Sequence, residues 1–168
     1  EHILSFFNGQ DSAVLHPKEV IRIKFEVVIA PPAFAAFETK YRLLPSPYEV
    51  RLYDLPSLFA GKIHAVLCRA WKNRIKGRDL YDYVFYLAKG AAVNLAHLKA
   101  RLVDSGFIGG ERPLDRDSLI GLLNERFADI DYEQAKQDVL PFIKDKSKLN
   151  LWSAAFFTDI TKNLQVLT

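Results

Sequence analysis

The chain has 168 residues, is 49% hydrophobic and carries a formal net charge of +3. It holds enough apolar material for one domain, or one domain and part of another. Its mild positive charge permits a phosphate-rich ligand but falls short of a dedicated nucleic-acid binder.

A single cysteine, Cys68, excludes an internal disulfide framework and fits a reducing cytoplasm. Cys68 falls mid-helix with no catalytic partner beside it, so it reads as packing. No apolar run reaches the about 20 residues needed to span a bilayer, and no secretory signal opens the chain. The first residue is glutamate and methionine is absent, which leads us to expect a piece of a longer protein.

Residues 1–53 read as β. Ile3–Phe7 is short and apolar, and Val20–Ile29 is rich in β-branched residues with partial alternation. Pro31 and Pro32 end that strand, because proline donates nothing to a ladder. Tyr48–Tyr53 follows a turn marked by Pro45 and Pro47. From Asp54 onward the pattern is helical, with helices expected at 55–73, 80–88, 94–104, 116–128, 132–139 and 150–165. Asp54, Asp115 and Asp131 are cap candidates, with Pro56 in the first turn after Asp54. Gly77, Gly90, Gly106, Gly109, Gly110 and Pro141 fall in the expected breaks. The pattern is α+β: an incomplete sheet region over 1–53, then a helical domain over 54–168.

The anomaly lies between Asp54 and Tyr86. On a wheel advancing about 100° per residue, Leu55, Phe59, Val66 and Ala70 form one stripe with Ile63 at its edge. Lys62 and Arg69 fall inside that stripe, seven residues apart. Ionised groups on a buried face are costly unless paired or turned to a ligand. The expected partners are Asp79 and Asp82. Simpler readings stand beside this one. Lys62 and Arg69 are also placed to snorkel, Asp79 to cap a helix starting at Leu80, and Asp82 to complement its dipole. Asp79, Asp82, Tyr83 and Tyr86 share one face, so the acids are expected to line a surface flanked by phenols.

Lys72, Arg74, Lys76 and Arg78 crowd the connection, a cradle for a polyphosphate or else a solvated turn. Glu26 is a mid-strand carboxylate of the kind that ligates Mg²⁺, or an exposed residue paired with a neighbouring cation. The histidines show no ligand spacing, and His64 is expected to face solvent. Zinc patterns, a nucleophile elbow, a Walker loop and a dinucleotide fingerprint are all missing from the sequence.

Leu58-Phe-Ala-Gly-Lys62-Ile-His-Ala-Val-Leu-Cys-Arg69, followed by Lys76-Gly-Arg-Asp79-Leu-Tyr-Asp82, resembles the AbiEii/AbiGii family. These are nucleotidyltransferase-like toxins of abortive-infection (type IV) toxin–antitoxin systems. The strand Ile23–Val27 and the tail segments Asp138–Ile143 and Leu151–Phe157 are also similar to that family. The resemblance implies part of a nucleotidyltransferase-like sheet followed by a helical bundle. It implies NTP-dependent transfer to RNA or protein, with Mg²⁺ as cofactor and an antitoxin as partner. Lys62 would then hold the triphosphate, and Asp79 would be the second essential side chain. Arg69, Lys76 and Arg78 would bind nucleotide, Asp82 would support them, and Glu26 would stand near a third metal carboxylate.

Family members carry, earlier in the chain, a glycine-rich strand-turn and a paired-aspartate strand that binds Mg²⁺. Neither occurs here, and Gly9-Gln-Asp-Ser12 has only one carboxylate. An alternative is a non-catalytic helical module that engages tRNA, an antitoxin or another protein. A third reading is a salt-bridge network joining two helices. Residues 1–168 alone are expected to give negligible Mg²⁺-dependent labelling of RNA or protein from labelled NTPs; robust labelling overturns this.

Overall fold

The computed structural model describes residues 30–69 and 76–167. The expected strands Ile3–Phe7 and Val20–Ile29, together with Glu26, Ala70, Lys72 and Arg74, lie outside the described residues. The chain divides into two compact units, Glu1–Pro31 and Pro32–Thr168, and the account below concerns the second.

This unit opens with an antiparallel hairpin, β1 (Phe37–Arg42) and β2 (Tyr48–Tyr53), in register from Phe37 opposite Tyr53 to Arg42 opposite Tyr48. The β2 strand was expected; β1 was not singled out, although Phe37, Thr39 and Tyr41 alternate with Glu38, Lys40 and Arg42 as a strand requires. Its base is tied down by polar groups. Asp54 donates its backbone N–H to the Ala36 carbonyl at 3.0 Å, and Ala36 N–H donates to the buried Ser57 hydroxyl at 3.0 Å.

Helix α1 (Leu55–Cys68) starts where Asp54 accepts from the Ser57 backbone N–H at 2.9 Å. It ends at Cys68 rather than continuing to 73, because Arg69 takes up an extended conformation. Helix α2 (Gly77–Ala88) begins three residues before the expected start. Gly77 is therefore a helical residue and not a loop breaker. A Cβ there would lie 1.8 Å from the Ala135 carbonyl oxygen and 2.6 Å from Val139 Cγ2. Only glycine lets α2 come this close to the helix carrying Ala135 and Val139.

After Gly90 turns the chain at φ +64°, a short strand β3 (Ala92–Asn94) leads into α3 (Leu95–Asp104), capped by Asn94. Helices α4 (Arg116–Ala128) and α5 (Tyr132–Val139) fall where expected, capped by Asp115 and Asp131. The last helix, α6 (Ala154–Thr161), is shorter than expected. Ser153 caps it at one end, and at the other the chain leaves to form β4 (Gln165–Leu167), parallel to β3 with Val93 opposite Val166. Arg116 holds this exit, donating to the carbonyls of Leu164 at 2.8 Å and Lys162 at 2.5 Å.

The core is aromatic. Phe59 of α1, Tyr83 of α2, Phe127 of α4 and Phe157 of α6 are fully buried, with successive ring centroids 5.7, 5.5 and 5.1 Å apart. Tyr83 is thus a core residue, and the acids on α2 do not line a surface of phenols. Its hydroxyl donates to Thr161 Oγ1 at 2.7 Å, and that hydroxyl donates in turn to the Phe157 carbonyl. Burial pushes the Tyr83 phenol far above its ordinary range. Small sheets beside a helical bundle make the fold α+β.

Gly77→Ala is expected to lower the urea midpoint strongly, by at least about 2 kcal/mol in stability. Gly90→Ala, at a site with open space around it, should act only through its positive φ, near about 1 kcal/mol. Equal losses for the two would remove the close-approach argument.

Candidate functional site

The site residues sit along two helices that meet at the N-terminus of α2. On α1 the buried positions are Ser57, Phe59, Ala60, Ile63, Ala65, Val66 and Leu67, while Leu55, Leu58 and Arg69 are exposed. The apolar stripe is therefore centred on Ile63, which the sequence placed at its edge. Leu55 is 39% exposed. Lys62 and Arg69 accordingly occupy the solvent margin of the stripe and not its interior. Their side chains are 40% and 44% exposed.

Both cations find the expected carboxylates. Lys62 Nζ donates to Asp82 Oδ2 at 2.5 Å, and Arg69 Nη1 donates to both Asp79 oxygens at 3.1 Å. The two pairs differ in burial. Asp82 is 33% exposed, whereas Asp79 is only 2% exposed. Asp79 does not cap α2. The cap position belongs to Lys76, and Asp79 lies inside the first turn, where its charge complements the helix dipole. The capping partner comes from another helix: Asp138 of α5 accepts from the Gly77 N–H at 3.2 Å. Nothing local in the sequence announces that contact, since 61 residues separate the two.

Lys76 and Arg78 flank this helix start. With Asp138 and Phe142 they line an open recess of about 170 Å³. Phe142 is 83% exposed there.

On the opposite flank of α1, His64 is half-buried and not solvent-facing as expected. Its Nε2 lies 3.1 Å from the Ser105 hydroxyl. Burial, together with the positive charges of Arg101 and Arg69, holds the imidazole below its ordinary range. Cys68 receives a weak hydrogen bond from Ser105 at 3.7 Å, and burial pushes its thiol up, as expected of a packing cysteine. Arg101 was missed. It lies between the buried His97, Leu98 and Leu102 on the wheel of α3, so the rule that singled out Lys62 applied to α3 would have found it.

Among the described residues, no group of three or more His, Cys, Asp or Glu side chains is arranged to hold a metal ion. Asp79 and Asp82 each already face a cation. The described carboxylates therefore do not fit Mg²⁺. Among the same residues, no helix is long and apolar enough to cross a membrane.

A lysine, two acids and several cations are thus gathered at the junction of α1 and α2 in this α+β chain. A family model described as nucleotidyl transferase AbiEii toxin, type IV TA system, matches residues 8–158. The chain belongs to this family, and membership in a type IV toxin–antitoxin family implies an antitoxin as counterpart. No curated protein and no solved structure matches it.

The difference in burial predicts an asymmetric response to mutation. Arg69→Ala strands the buried Asp79 carboxylate and should cost about 3–5 kcal/mol. Asp79→Ala should cost less, because the guanidinium left behind reaches water. Lys62→Ala should stay within about 1 kcal/mol. Urea denaturation of the three variants checks the order, and a loss at Lys62 equal to that at Arg69 contradicts it.

Proposed function

We propose that this chain carries the helical side of a nucleotidyl-transfer site, in a toxin that moves a nucleotide from an NTP to an RNA or protein acceptor. The observation that carries the reading is the contrast between the two ion pairs. The Arg69–Asp79 pair has its carboxylate buried and ties α1 to α2. The Lys62–Asp82 pair is open to solvent on both sides. An ammonium held by a half-exposed carboxylate exchanges that partner for a phosphate at little cost in folding.

In this reading Lys62 contacts the triphosphate and stabilises the charge that develops during transfer. Asp82 holds the lysine ready while the site is empty. Asp79 and Arg69 position the helix that carries Asp82. Lys76 and Arg78 add positive potential at the helix start. Glu26, outside the described residues, would stand on the metal side and help hold Mg²⁺. Family membership supports the reaction class. The acceptor in this reading is an RNA, tRNA among the candidates, or a protein.

The recess beside Lys76 and Arg78 favours a second reading, a non-catalytic module. Its exposed Phe142 offers a ring for stacking an unpaired base, with two cations next to it for the backbone. Transfer from labelled NTPs to total RNA and protein by the full gene product separates the two. Lys62→Ala is expected to lower labelling by about a hundredfold or more with the fold intact. Labelling that survives Lys62→Ala sinks the role of the lysine. RNA binding by a gene product that transfers nothing selects the module.

A further inference from the structure

Arg101 lies on the packed side of α3. Among the described residues its guanidinium enters no ion pair, and its buried Nε donates to no acceptor. A buried donor left unmade costs about 1–3 kcal/mol. The other core-facing polar groups of this region do find partners: Ser57, Asp79 and His97 are all hydrogen-bonded. The guanidinium instead lies against the bare backbone of Gly61, the residue before Lys62. A Cβ at Gly61 would stand 3.9 Å from Arg101 Cζ and 4.0 Å from Nη1. Gly61 is partly exposed, so this end of the arginine is not sealed from water.

The surroundings are positive. Arg101 and Arg69 both act on His64, and the nearby Asp104 carboxylate offsets them only in part. The Ser105 hydroxyl adjoins the same imidazole. A guanidinium with an unmade donor, lying beside a glycine whose missing side chain leaves room and one residue before a lysine, makes a seat for a multiply charged anion.

We propose that Arg101 is a nucleotide-contacting residue, which with Lys62 takes the triphosphate of the NTP over Gly61. The identity of the anion rests on the nucleotidyl-transfer reading above; the existence of an anion seat does not.

Sodium tripolyphosphate is the probe, titrated calorimetrically into the full chain. Arg101→Met keeps the apolar stem and removes the unsatisfied donor, so its Tm should equal or exceed that of the parent. Its affinity for tripolyphosphate should fall about tenfold or more. Arg101→Lys should restore part of it. His64 is an independent reporter, its NMR signal identified by loss in His64→Gln. Bound tripolyphosphate should raise the His64 titration midpoint in the parent and leave it unmoved in Arg101→Met. The proposal is overturned if the parent binds no tripolyphosphate, if Arg101→Met binds it equally well, or if His64 does not respond. Tripolyphosphate binding through Arg101, with no transfer by the full gene product, keeps the anion seat and removes the nucleotidyl-transfer reading. Transfer lost in Lys62→Ala but untouched in Arg101→Met removes the role of Arg101 alone.

Discussion

The buried carboxylate of Asp79 is the constraint around which the helical unit is arranged. A charge with only 2% of its side chain exposed must have a partner. It finds one in Arg69, at the point where α1 gives up its helical conformation. The same first turn of α2 is pressed onto α5 through Gly77 and receives Asp138 as its cap. Three helices are thereby fixed at one junction. Tyr83, one turn further along α2, then enters the aromatic core, and Asp82 is left at the surface facing Lys62.

This division of labour accounts for the chemistry the site supports. Some polar groups at the junction hold geometry: Asp79, buried and paired with the half-exposed Arg69, Asp138 with the Gly77 N–H, and Tyr83 with Thr161. Groups at its rim keep access to water: Lys62, Arg78 and the guanidinium of Arg101 beside Gly61. A phosphate-binding surface needs such a rim, since a cation already sealed in an ion pair has nothing to offer a ligand.

Much of this was legible before the structure. Asp54, Asp115 and Asp131 were readable as caps because capping depends on four adjacent residues. Helices α4 and α5 could be bounded for the same reason. The pairing of Lys62 and Arg69 with Asp82 and Asp79 followed from charge and spacing, and the family from the Lys62 and Arg-Asp79 segments. The stripe on α1 was placed wrongly by a fraction of a turn. Ile63 and not Val66 lies at its centre, because the neighbours that bury it come from α2 and α3. Strand β1 escaped notice although Phe37, Thr39 and Tyr41 alternate with charged residues, because it is short and almost wholly exposed, and Asp138 because its partner is far along the chain.

The sequence by itself determined which residues start helices, which charges are complementary and which family the chain belongs to, since each rests on local chemistry or on a short run of residue types. Only the tertiary structure decided which of two similar ion pairs has its carboxylate buried, which glycine is compelled by a neighbouring helix, and that Arg101 lies beside Gly61 and enters no ion pair among the described residues. Those properties belong to surfaces built from segments far apart in the chain. Burial, close approach and the want of an acceptor exist only once the helices have met.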